Sequence, residues 1–168
     1  AAYGIGVCRV RNFAGGEDNA TVSVGRDLLE SRGVGPHLRV DRRAEHLHGA
    51  RVVAAVSSEE KAAAAREHGA DETVIYPRGT LDKDQSKALA EAFKAACGPE
   101  GANVIYDIIG GDYSEPALRS IAWEGRFCVV GFTAGIPRMP LNLTLLKSCD
   151  VCGVFWGAFA ARDPKANA

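Results

Sequence analysis

Gly49-Ala-Arg-Val-Val-Ala-Ala-Val-Ser-Ser-Glu-Glu-Lys-Ala-Ala-Ala-Ala-Arg-Glu-His-Gly69 holds one complete unit of the pattern that decides the fold. Arg51 to Val56 is a short, valine-rich apolar run of the kind buried in a parallel sheet. Ser58 follows as an N-cap, with Glu59 and Glu60 in the first turn, where the helix dipole favours acids. Lys61 to His68 is alanine-rich and helical, and Gly69 supplies a left-handed stop.

Downstream the alternation continues. Thr73–Tyr76 reads as a strand closed by Pro77, and Asp82–Cys97 as an amphipathic helix ended by Gly98-Pro99. Asn103–Ile108 is a strand running into Gly110-Gly111, Ser114–Ile121 a short helix, and Gly125–Gly131 a strand ending in glycine. Leu143–Ser148 is a helical turn and Val151–Phe155 a last strand, ending at Trp156-Gly157. Strands alternating with helices predict βαβ units on a parallel sheet, with a ligand outside the strands' carboxyl ends. Three of those ends carry small or glycine-containing turns: Ile109-Gly110-Gly111, Gly131-Phe132 and Trp156-Gly157. Together they suggest a nucleotide cleft.

Upstream the regularity stops. Val7–Phe13 and Arg39–His46 have no clean period of strand or helix. The first strand and glycine-rich turn of a doubly wound domain belong there, but Leu28–His37 offers only Gly33 and Gly35, with Pro36 where a helix would begin. Two readings remain, a degenerate phosphate loop or an ordinary irregular one. The expected organisation is residues 1–48 as an irregular remnant of the domain entry and first βα unit. Residues 49–168 form a Rossmann-like domain.

Composition bounds the function. With 46% hydrophobic and 24% charged residues and a net charge of -1, the chain is an ordinary globular domain, with nothing electrostatic pointing to nucleic acid or a membrane. No apolar run approaches the ~20 residues of a membrane span, and the amino terminus lacks a secretory signal pattern, so a cytoplasmic location is expected. Five cysteines make no disulfide framework; the Cys149-Asp-Val-Cys152 spacing is read as strand thiols. Four scattered histidines form no zinc pattern, so no metal site is expected.

The blocks 49–58, 68–71, 104–112, 125–132, 136–142 and 153–157 resemble, in order and spacing, the medium-chain dehydrogenase/reductase superfamily. The likeness is to its zinc-independent, zeta-crystallin-like quinone oxidoreductase branch, and Ala1–Gly4 resembles the family's entry into its cofactor domain. It implies a substrate domain before Ala1 and a returning segment after Ala168. It also implies a glycine-rich stretch between Gly25 and Gly49, which the residues there do not match. A displaced reading frame would account for this, since codons allowed for Val34–Val40 read one base later give Trp-Gly-Leu-Thr-Cys-Val. An uninterrupted gene sequence with no such alternative would sink that explanation.

The second strand ends in Ser57-Ser58 and not in the acid that bonds an NAD ribose. Hydroxyls followed by Lys61 suit a 2′-phosphate, hence NADPH. In the family a lysine here and a tyrosine fifteen positions later hold that phosphate, and Lys61 and Tyr76 stand at that spacing. Glu59 and Glu60 would weaken it unless they point away. Ile109 and Gly110, Gly131 and Phe132, and Phe155, Trp156 and Gly157 complete the expected cofactor contacts, while Asp107 is read as structural.

No catalytic acid–base set is evident, and hydride transfer to a quinone or activated double bond asks mainly for orientation and exclusion of water. The resemblance thus implies an NADPH-dependent quinone reductase with a small-molecule acceptor, and a homodimer formed near Val151–Phe155. Alternatives are an enoyl-thioester reductase, a zinc alcohol dehydrogenase relative, or a non-catalytic remnant of a damaged gene.

Overall fold

The computed structural model describes residues 5–10 and 50–165. They form one mixed sheet of six strands, β1 (Ile5–Val10), β2 (Ala50–Val56), β3 (Glu72–Ile75), β4 (Ala102–Asp107), β5 (Ile121–Val129) and β6 (Asp150–Gly153). The helices are α1 (Glu59–Glu67), α2 (Lys83–Cys97), α3 (Ser114–Arg119), α4 (Asn142–Lys147) and α5 (Trp156–Arg162).

The spatial order is β3-β2-β1-β4-β5-β6. Neighbours β2 and β3 are parallel, as are β4, β5 and β6. Strand β1 runs antiparallel to both β2 and β4, which therefore point the same way. The five strands after β1 thus bring their carboxyl ends to one edge, the Rossmann-like arrangement expected from the sequence. Ligands of open α/β sheets bind at that edge.

Strand β1 was not evident in the sequence. Ile5 pairs with Ala55 and Val10 with Ala50, so its amino end lies at the carboxyl edge of the other strands. The chain leaves β1 and enters β2 at the opposite edge. The stretch that would hold a glycine-rich loop, including Gly33 and Gly35, lies outside the described residues.

Local chemistry explains the helices. The Ser58 hydroxyl accepts from the Lys61 amide at 3.4 Å, and Gly69, at φ 110°, ends α1 where a residue with a Cβ would be strained. In α2 a capping box closes the first turn: Asp82 Oδ1 accepts from the Gln85 amide (2.8 Å) and Gln85 Oε1 from the Asp82 amide (3.0 Å). The start of β2 is fixed by Asp71, whose carboxylate accepts from the Val52 amide at 2.8 Å. That accounts for the acid in the His68-Gly-Ala-Asp71 block.

The main core, centred on Phe93, Ile105, Leu118, Ile121 and Phe127, joins the sheet to α2 and α3. A smaller cluster of Val52, Val104 and Cys128, with Tyr106 and Cys152 at its margin, forms separately. Strand β5 begins earlier than its sequence suggests. The register jumps from Ala102↔Ile121 to Val104↔Arg126, and Glu124 takes a left-handed φ of 57° where the extra residues loop out.

Candidate functional site

At the carboxyl edge the expected residues fall into three groups. The first lies beyond β2 and β3. Tyr76 continues the ladder, its amide donating to the Val56 carbonyl at 2.9 Å, which sets it beside Ser57. Lys61, in the first turn of α1, donates from Nζ to Ser57 Oγ at 3.1 Å, and the Tyr76 hydroxyl is hydrogen-bonded to Ser57. An ammonium and two hydroxyls therefore converge on one point. Burial pushes the Tyr76 hydroxyl up from its ordinary pKa, the Ser57 bond offsetting part of it, so tyrosine stays a neutral donor.

Glu59, a potential repeller of anions, is turned away: its carboxylate pairs with Arg66 Nη1 at 3.0 Å, along the helix from its amino end. A residue missed in the sequence supports this group. The Tyr113 hydroxyl donates towards the carbonyls of Pro77 (3.0 Å) and Gly79 (2.7 Å), and its ring lies 4.9 Å from that of Tyr76. No local pattern marks Tyr113, since its partners lie more than thirty residues upstream.

The second group is the turn after β4 and the loop after β5. Asp107, 1% exposed, accepts at Oδ1 from the amides of Ile109 and Gly110 (both 2.9 Å) and at Oδ2 from Ser114 Oγ (2.5 Å). The structural role expected of it is what the geometry gives. Gly111 donates to the Gly135 carbonyl (2.7 Å) and Ala134 to that of Ile109 (2.8 Å). A Cβ on Gly110, at φ 69°, would meet the Gly135 carbonyl oxygen at 2.6 Å. The glycine is thus demanded by the packing of two loops against each other, and the amides of 109 and 110 are already engaged. Ile109 and Gly110 can offer a ligand a wall, but not those amide donors.

The third group is aromatic. Gly131 packs on the Ile108 carbonyl, and beyond it Phe132 is 59% exposed. The Val154 amide still bonds to the Val129 carbonyl, at 2.8 Å, so Phe155, 80% exposed, emerges beside the β5 loop. Trp156 and Gly157, expected as the tip of a strand, open helix α5 instead. With strands roughly 4.8 Å apart, β2 and β5 are separated by about 14 Å, a span suited to an extended dinucleotide.

A mixed α/β sheet whose five strands other than β1 are parallel, with a cationic hydroxyl cluster at one end of its carboxyl edge and exposed aromatics at the other, defines a Rossmann-like domain. Residues 44–166 match the family model for the zinc-binding dehydrogenase domain, and the chain belongs to that family. Within it the chain is a quinone oxidoreductase-like member of the medium-chain dehydrogenase/reductase superfamily, as its sequence blocks suggested.

It is 38% identical over 149 residues to rat quinone oxidoreductase-like protein 2, covering 88% of this chain and 40% of that protein. Among solved structures, a mycobacterial quinone oxidoreductase superposes with a TM-score of 0.63 at 23% identity, covering 77% of this chain and 38% of that one. The Escherichia coli quinone oxidoreductase in complex with NADPH gives 0.57 at 22% identity, covering 70% and 34%. The two structures share the fold. The chain spans about 40% of the length of the curated quinone oxidoreductase-like relatives that it matches.

The family's name raises zinc. Among the described residues no group of three His, Cys, Asp or Glu side chains is placed to hold a metal, so these residues do not fit a zinc site. Also among them, no helix is long and apolar enough to cross a membrane.

Proposed function

We propose that the chain supplies the NADPH-binding part of a quinone-reductase-type oxidoreductase, which transfers hydride to a quinone or another activated double bond. The observation that carries this is the convergence of Lys61 Nζ, Ser57 Oγ and the Tyr76 hydroxyl beyond β2, where an NAD-type site would present an acid. In this proposal Lys61 and Tyr76 hold the ribose 2′-phosphate, with Ser57 aligning both. Phe132, Phe155 and Trp156 bound the nicotinamide end and exclude water from it, and the Ile109–Gly110 turn walls the cleft between. NADPH, when bound, supplies the hydride. The acceptor, a cytoplasmic location and self-association along the edge strand β6 are proposed with the family reading.

A second reading has its own support. Because β1 presents its amino end to the carboxyl edge, no described loop grips a pyrophosphate there. This favours a chain that folds without effective cofactor binding, the remnant considered above.

Fluorescence titration separates the two. NADPH should bind, and Lys61→Ala should weaken it about tenfold, the loss expected of one half-exposed charge-assisted contact of ~1.4 kcal/mol, while NADH affinity stays unchanged. No binding of either nucleotide would support the remnant.

A further inference from the structure

We propose that Cys128 and Cys152 form a dithiol site that a hydroperoxide oxidises to a disulfide bridging β5 and β6. The two residues are direct partners in the parallel register, with Sγ atoms 3.6 Å apart. The pair is not the Cys149–Cys152 spacing, which the sequence reads as strand thiols. Cys149 packs in the main core, whereas Cys128 and Cys152 meet at the smaller cluster. The period of two along β6 separates residues 149 and 152 and brings Cys152 to a partner 24 positions upstream.

Adjacent strands lie roughly 4.8 Å apart, within the Cα separation of roughly 4.4–6.8 Å that a disulfide spans. Closure therefore needs side-chain rotation and little backbone movement.

Their environments assign the order of events. Cys128 is buried, and burial together with the neighbouring Cys152 sulfur pushes its thiol up to about 12, so it stays protonated and resists direct oxidation. Cys152 is half-buried, the more exposed residue of the two, and is therefore assigned the first oxidation. A hydroperoxide transfers one oxygen to Cys152, giving a sulfenic acid and releasing water or the corresponding alcohol. The Cys128 sulfur then attacks the Cys152 sulfur, the S–O bond breaks, and hydroxide leaves with the Cys128 proton as water. Two thiols lose two electrons and the peroxide gains them. The bridge would fasten β6 to the sheet just ahead of Phe155 and Trp156.

The test is mass spectrometry of the full chain after mild hydrogen peroxide treatment. The expected result is a loss of two hydrogen masses, a linked peptide pair containing Cys128 and Cys152, and reversal by dithiothreitol. Cys152→Ser should abolish the loss. Cys128→Ser should leave a sulfenic acid on Cys152 that dimedone captures. Linkage through another cysteine, oxygen addition at Cys152 without linkage, or no change under peroxide that oxidises a free thiol would each overturn the proposal.

Discussion

At Asp107 one buried carboxylate collects three donors, from Ile109, Gly110 and Ser114, and its own carbonyl accepts from Val130 and Gly131. The side chain thereby fixes the β4 turn, and the backbone carbonyl of the same residue fixes the start of the β5 loop. Asp107→Ala would strand those donors in the interior, and a cost of about 3–5 kcal/mol is expected. Asp107→Asn keeps an acceptor for the amides and can donate to the Ser114 hydroxyl, so it should cost less than half as much. Denaturant unfolding of the two variants measures the difference; equal losses would mean that the three hydrogen bonds are not what holds the turn.

Among the elements, those written in consecutive residues were legible and those decided by distant partners were not. The unit β2–α1 could be read because its valines, cap and glycine stop are adjacent in the chain. The same holds for α2, whose Asp82–Gln85 box makes a checkable claim: Asp82→Ala should cost about 1 kcal/mol, lowering the melting temperature by about 2–4 °C. An unchanged melting curve would remove the box from the account.

Strand β1 escaped because Ile5–Val10 carries no alternation of its own, and its antiparallel place depends on β2 and β4 more than forty residues on. The jump in β5 depends on pairing with Ala102, again invisible locally. At the site, Ser57, Lys61 and Tyr76 were singled out by strand-end chemistry and family spacing, and the structure brings their side chains together. The engagement of the 109 and 110 amides by Asp107, the support from Tyr113, and the Cys128–Cys152 contact are tertiary facts. The glycines at 110 and 111 were singled out as a ligand-facing turn, and their packing against residues 134 and 135 gives them a structural reason that no linear pattern contains.

For the molecule as a whole, buried thiols and phenols set an alkaline limit on stability. Burial raises Cys128 to about 12 from 9.0, and also raises Cys149, Tyr76, Tyr106 and Tyr113 above their ordinary values. Each neutral form is favoured in the fold, so its contribution is complete below the unfolded-chain pKa. It is lost as pH rises through the folded value, because the unfolded state then binds fewer protons. Stability measured by denaturant midpoint should fall from about pH 9 upwards, by a few kcal/mol in total. A flat profile to pH 11 would show these groups to be solvated.

The proposed function makes the carboxyl edge, from Ser57 and Tyr76 across to Phe132 and Trp156, a dinucleotide site that reads the 2′-phosphate. Amide chemical-shift mapping of the isotope-labelled chain during NADPH titration tests it most directly. Shifts are expected at Ser57, Lys61 and Tyr76 and around Phe132 and Trp156, with the first group losing its response when NADH replaces NADPH. Shifts at the opposite edge of the sheet, or none at either end of this one, would contradict it.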